Sequence, residues 1–433
     1  MTTTIFALSS GAPPAGVAVV RISGPEAGAA LIALCGSLPK SRRATLRTLR
    51  KGDGVELDRA LVLWMPGPGT ATGEDCAELH LHGGRAVVAS VESALAALPG
   101  LRHAAAGDFT RRAFANGAID LAEAEGLADL LSAETELQRR SALAMAGGAF
   151  SREIARWRDD VLRLSARIEA ALDFSDEGEV GEGLPDGFAP ACMELAEDLR
   201  EWLQRPRAEP LREGFRVVLA GPPNAGKSTL FNKLIEKEAA ITAAEPGTTR
   251  DVLTASVALD GIPFTFVDTA GLREEGAGEI ERVGIARAIA AAQEADLVLW
   301  LGPEGQGPEG RGTSGGILWE VSAQVDRSDL KPKSPGAHCV SAHTGEGMPR
   351  LRSALVDHAR KTLPLPGEVA LTARQHRFLE DCRVGIEAAA RQDDPLLAAE
   401  DLRFARAALD RLTGRSGTED MLDALFGRFC IGK

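Results

Sequence analysis

Residues Phe215 to Thr229 constrain the fold more than any other stretch of the chain. The run Phe215 to Ala220 (FRVVLA) leads without interruption into Gly221 to Thr229 (GPPNAGKST), which fits G-x-x-x-x-G-K-[ST] and opens a helix near Lys227. A short apolar run of this kind, bounded by a glycine turn and a helix, reads as a strand buried on both faces of a mostly parallel sheet. Glycines allow successive backbone N–H groups to turn toward phosphate oxygens, and the helix N-terminus adds positive potential. Lys227 then reaches the terminal phosphates and Ser228 offers a hydroxyl to Mg²⁺. Asn224, Ala225, Gly226, Lys227, Ser228 and Thr229 are therefore expected to bind nucleotide phosphates. A purely structural glycine turn does not account for Lys-Ser at the required offset.

Around this unit the chain divides. Its 433 residues predict about three domains at roughly 150 residues each. Before residue 118 short β-like runs (Val17 to Ile22, Glu78 to His82) alternate with turns and an alanine-rich helical stretch, Ala86 to Ala97, an α+β pattern. From Ile119 to Phe174, Ile154, Trp157, Val161, Leu164, Ile168 and Leu172 recur at helical spacing, and an acidic loop from Asp176 to Pro190 leads to a further helix near Cys192 to Gln204. Later strands are expected at Pro263 to Val267 and Asp296 to Leu301, a surface loop at Pro303 to Gly316, and helices again after Leu371, the last with Leu422, Leu425, Phe426 and Phe429 on one face beneath Thr418. Helical stretches flanking an α/β unit predict a domain inserted between two parts of a helical domain.

Composition excludes several classes. Hydrophobic residues are 44% and charged residues 26%, the balance of a globular protein, and no apolar run reaches membrane-spanning length. A net charge of −13 argues against bulk adhesion to nucleic acid. Six scattered cysteines without metal-finger spacing, and an N-terminus without a secretory pattern, predict a cytoplasmic protein.

Two further segments belong with the phosphate loop. Gly247 to Asp251 (GTTRD) can present Thr249 to Mg²⁺ and the terminal phosphate, and Asp268 to Gly271 (DTAG) follows a strand. In this order the segments resemble translation-factor-type GTPases. Leu272 stands where many such proteins place a water-orienting glutamine, so another group must serve. The asparagine of the loop, Asn224, can carry its carbonyl oxygen to a monovalent cation, or bond its own backbone as an ordinary loop residue.

With these signatures stand Arg21 to Gly24 (RISG), Thr72 to Asp75 (TGED), Glu78 to Gly84 (ELHLHGG), Phe109 to Asn116 (FTRRAFAN) and the terminal Phe429 to Lys433 (FCIGK). Together they resemble the MnmE (TrmE) family, potassium-dependent GTPases of tRNA wobble-uridine modification, over essentially the whole chain. The resemblance implies a multidomain α/β plus α protein: a tetrahydrofolate-binding and dimerisation domain (1–117), a helical domain in two parts (118–213 and 368–433), and an inserted Ras-like G domain (214–367) with a mostly parallel sheet. It implies GTP/GDP held by the phosphate loop, by Gly247, Thr248, Thr249, by Asp268, Thr269, Ala270, Gly271 and by Asp326. Mg²⁺ would be bound by Ser228 and Thr249, and K⁺ by Asn224, Ala243, Glu245 and Thr248. Glu281, in the triplet Ile280, Glu281, Arg282, would orient the attacking water, with Glu274, Glu275 and Glu279 as competitors. A 5-formyl or methylene tetrahydrofolate would be held by Arg21, Glu78 and Lys433. The family implies a homodimer that joins the flavoprotein MnmG in a heterotetrameric complex and acts on tRNA.

The chain departs from the family pattern at several points. Where N-K-x-D is expected it has Ala323, Gln324, Val325, Asp326, and the later S-A-K element is Ser341, Ala342, His343. Asp326 can still accept from N1–H and the exocyclic amine of guanine. Ala118 replaces a usual lysine near the folate site. Cys430 reads either as a buried helix cysteine or as a participant in the modification, and Arg42, Arg43, Arg47, Arg50 and Lys51 either as a solvated face or as phosphate contacts. Two other functions stand beside the enzyme: an RNA-binding assembly GTPase, which would need an RNA module, and a folate-binding scaffold with a weakened G domain.

Overall fold

The computed structural model describes residues 3–173, 183–222, 224–236, 253–268, 295–306, 317–327, 333, 335–415, 419–427, 429 and 431–432. They fall into two compact units: 1–128 with 151–158 and 406–433, and 129–150 with 159–405.

The first unit is built on six strands, β1 (Thr4–Leu8), β2 (Val17–Ser23), β3 (Thr45–Arg50), β4 (Glu56–Met65), β5 (Cys76–His82) and β6 (Leu101–His103), in the order β3-β4-β5-β2-β1-β6. Neighbours are antiparallel except β1 and β6. Side chains alternate across a strand, so Ala77, Leu79 and Leu81 of β5 enter the core while Glu78, His80 and His82 take the other face. Helices Ala27–Cys35 and Arg85–Ala96 cover the apolar face, with Leu31, Val91 and Leu95 buried against Val20, Ile22 and Val62. Two of the sequence motifs interlock beside this sheet. Arg112, 2% exposed, donates to Glu74 Oε2 (2.8 Å), the Ser23 carbonyl (3.1 Å) and the Thr3 carbonyl (2.6 Å), and Asn116 Nδ2 donates to the Thr72 carbonyl (2.7 Å).

The second unit carries the other sheet: β7 (Phe215–Ala220), β8 (Leu253–Leu259), β9 (Ile262–Asp268), β10 (Leu297–Trp300), β11 (Ile317–Ala323) and β12 (His338–Val340), ordered β12-β11-β10-β7-β9-β8. All pairs are parallel except β8 with β9. Both faces are buried, Val217 and Leu219 packing with Phe266 and Leu299 on one side and Val218 with Val267 and Val298 on the other, which is why the strands read as continuous apolar runs. Chain entry and exit lie side by side, since Arg207 bridges Leu371 and the Ala208 N–H donates to the Leu371 carbonyl at 3.0 Å.

The helical periodicity is realised in Leu121–Ser132, Glu136–Ala146 and Ala149–Asp173, with Ile154, Trp157, Val161, Leu164 and Ile168 buried. The following helix begins at Phe188, earlier than the sequence signal at Cys192, because Gly187 takes the left-handed conformation and frees the chain to turn there. After residue 371 come Ala373–Arg391, Pro395–Thr413 and Glu419–Phe426. Among the described residues no helix is long and apolar enough to cross a membrane.

Candidate functional site

The phosphate loop hangs from the centre of the second sheet. β7 lies between β10 and β9, the point where successive connections leave on opposite sides and where open parallel sheets bind ligands beyond their carboxyl ends. Among the described residues of the loop, Gly221 (φ 151°), Asn224 (61°) and Gly226 (92°) adopt positive φ. A Cβ on Gly221 would stand 3.0 Å from the Gly302 N, so any larger residue would have to push the neighbouring backbone aside, at a φ that side chains rarely adopt. Helix Lys227–Ile235 opens at Gly226 with no side-chain cap, leaving its first-turn N–H groups facing the loop. Lys227, 7% exposed, donates from Nζ to the carbonyls of Gly221 (2.9 Å) and Pro222 (2.8 Å). A glycine cradle, a free helix start and a buried ammonium group fit a polyphosphate. Asp268 closes the adjacent strand, fully buried and in register with Leu219.

The segment Ala323 to Asp326, expected from the family pattern to read the base, runs on from the end of β11 and lies near the end of β12. A cavity of about 180 Å³ is lined by Gly226, Thr229, Gln324, Asp326, Arg327 and His343, among others. A hydrogen bond from the Ser341 hydroxyl, helped by a backbone N–H and by the charges of His343 and Arg327, holds the Asp326 carboxyl below the usual aspartate range. Ser341 is itself fully buried, so the S-A-H element serves as the anchor that aims the aspartate. Gln324, with φ 61°, reaches across to the phosphate loop, its Nε2 3.3 Å from the Asn224 carbonyl.

The expected sites are thus assembled in part. Asn224, Ala225, Gly226, Lys227, Ser228 and Thr229 form one turn, with Asp268 on the neighbouring strand and Asp326 at the nearby cavity. Ala243, Glu245, Gly247, Thr248, Thr249, Thr269, Ala270, Gly271, Leu272, Glu274, Glu275, Glu279, Glu281, Cys430 and Lys433 lie outside the described residues.

In the first unit Arg21 and Glu78 are direct cross-strand partners on the face opposite the helices. Arg21 Nε and Nη2 donate to Glu78 Oε1 at 3.0 and 2.9 Å, Glu78 Oε2 lies 3.3 Å from His80 Nε2, and the guanidinium sits 5.9 Å from the Phe109 ring centre. Both side chains remain partly open to solvent at 24% and 19% exposure, so the pair leaves a cation and a carboxylate accessible on this face. Ala118 is exposed beside Gly73 of TGED and brings no charge there.

Sequence reasoning missed three roles. Arg112 stood inside FTRRAFAN with no role of its own, although Glu74 of TGED offered the opposite sign. Ser341 was legible as an element but not as the hydroxyl that orients Asp326. Gln324 looked like a loss and proves to be a donor.

A buried strand, a left-handed glycine turn, an uncapped helix start and an enclosed lysine define a phosphate-loop nucleotide-binding protein of the α/β class. The family model described as "MnmE helical domain" matches residues 121–430, and "GTP-binding protein TrmE N-terminus" matches residues 4–118. The chain is 69% identical to the tRNA modification GTPase MnmE of Novosphingobium aromaticivorans, covering 100% of both chains. It is 59% identical to the protein of the same description from Erythrobacter litoralis, covering 99% of this chain and 100% of that one. The chain belongs to the MnmE (TrmE) family.

Proposed function

We propose that the protein hydrolyses GTP in the modification of tRNA, as the names of its relatives describe. The observation that carries this reading is the Gly221–Thr229 cradle, with Lys227 enclosed and Asp268 one strand away, in a chain of the family over its whole length. Ser228 and Thr249 would hold Mg²⁺, which neutralises charge on the phosphates, and Asn224, Ala243, Glu245 and Thr248 would hold K⁺ as a fixed positive charge beside them. Gly247, Thr269, Ala270 and Gly271 would contact the terminal phosphate and Glu281 would orient the water. Asp326 accepts from the guanine edge.

The finer reading follows the segments 1–117, 118–213, 214–367 and 368–433. The first, as a homodimer, holds a tetrahydrofolate through Arg21, Glu78 and Lys433, and its one-carbon unit goes to C5 of the wobble uridine together with MnmG in the cytoplasm. Turnover of GTP and ATP in K⁺ and in Na⁺ tests it, with Glu281→Ala and with Asn224→Gly, which removes the amide while tolerating the left-handed backbone. GTP-only, K⁺-dependent turnover lost in both variants is the expected result. Turnover indifferent to cation and base would refute the mechanism, and absence of nucleotide binding would leave the folate scaffold.

A further inference from the structure

We propose that Gln324 is a positioning residue that fastens the base-reading loop to the phosphate loop, through a neutral amide at a position where the N-K-x-D pattern has a cation. The inference rests on reading the adjoining cavity as the nucleobase site. Gln324 follows directly on β11 with a left-handed backbone (φ 61°). Nε2 donates to the Asn224 carbonyl at 3.3 Å and Oε1 accepts from Arg327 Nη1 at 3.4 Å. These two partners fix the amide orientation, because a flipped amide would set donor against donor and acceptor against acceptor. Arg327 therefore supplies positive charge one bond behind the bridge.

The phosphate loop is shaped to receive the amide. A Cβ on Gly226 would stand 3.0 Å from Gln324 Nε2 and 3.5 Å from its Cγ, so glycine at 226 leaves the space that Gln324 occupies. Asp326 is two residues further along the same loop and is aimed by Ser341. The bridge thereby holds the base-reading carboxylate and the phosphate cradle at a set separation before nucleotide arrives, which lowers the ordering cost of binding. A constraint of this kind acts on nucleotide retention and leaves the hydrolytic step alone.

The test uses the full-length protein with Gln324→Met and Gln324→Lys, a fluorescent GDP and steady-state GTP turnover. Methionine keeps the Cβ, hence the same backbone cost at positive φ, and a similar volume, but donates nothing. Lysine restores a donor. Gln324→Met is expected to release GDP about fivefold faster and to raise KM for GTP by a similar factor, with kcat changed less than about twofold. The melting temperature of the nucleotide-free protein should not move, and Gln324→Lys should return release to near the wild-type rate. Wild-type release rates in Gln324→Met, a fall in kcat at constant KM, or equal losses in both variants would overturn the proposal. A wild-type protein that binds no guanine nucleotide would instead overturn the nucleotide reading, and the proposal with it.

Discussion

Arg21 and Glu78 face each other across β2 and β5, and the guanidinium spends two donors on a single carboxylate oxygen. Glu78 keeps its second oxygen toward His80, and both residues of the pair are partly open. The pair is thus a cross-strand tie, and under the proposed function it also takes part in holding the folate.

Two readouts separate these roles. Arg21→Ala and Glu78→Ala, alone and combined, should show a stability coupling of about 1 kcal/mol in denaturant unfolding. Each single variant should weaken 5-formyltetrahydrofolate binding by about tenfold or more in calorimetry. Coupling without loss of folate binding would leave only the structural tie.

Arg112 is the stronger structural tie. It is almost fully buried, and truncation removes the cation from the Glu74 carboxylate, which keeps the Ser23 hydroxyl, and takes a donor from two carbonyls. Arg112→Met should cost about 3–5 kcal/mol in chemical denaturation, against less than about 0.5 kcal/mol for Arg163→Ala on an exposed helix face. Comparable losses for the two would contradict this account.

Asp326 sets a pH dependence. Its folded value lies below the ordinary one, so the ionised carboxylate contributes fully above the ordinary range and is lost as pH falls through the lowered value. Ser341→Ala removes the largest cause and should bring that loss to higher pH. The ratio of GDP dissociation constants, Ser341→Ala to wild type, cancels the nucleotide's own titration and should rise as pH falls toward about 4. A ratio flat with pH would show that Ser341 does not tune the carboxylate.

What could be read in advance follows burial. β7 was legible to the residue because both its faces are covered and its apolar run is unbroken. Helix Ala149–Asp173 announced itself by spacing, since one face alone is buried. β3 was not legible: it is an edge strand, Arg47 and Arg50 interrupt its alternation, and the stretch reads as a charged strip. β6 and β12 span three residues each, too few for a period to show. At the site, motif spacing gave the phosphate cradle, which is local. The links from Gln324 to Asn224 and from Ser341 to Asp326 join segments far apart in sequence, and only the parallel sheet brings them together.

The second phenylalanine of FTRRAFAN, Phe114, likewise meets a segment far away in sequence. Gly414, with φ 79°, ends helix Pro395–Thr413, and a Cβ there would stand 2.7 Å from Phe114 Cζ and 3.1 Å from Leu121 Cβ. Gly36 also ends a helix at positive φ, 78°, but nothing lies within 4 Å of its added Cβ. Gly36→Ala should therefore bear only the left-handed backbone cost, about 1 kcal/mol. Gly414→Ala bears that cost and an overpacking term besides, about 2–4 kcal/mol in all. Thermal or urea unfolding of the two variants isolates the difference. If Phe114→Leu in the Gly414→Ala background recovers part of the loss, the aromatic ring is the group that requires glycine; if it recovers none, the loss lies in the backbone turn.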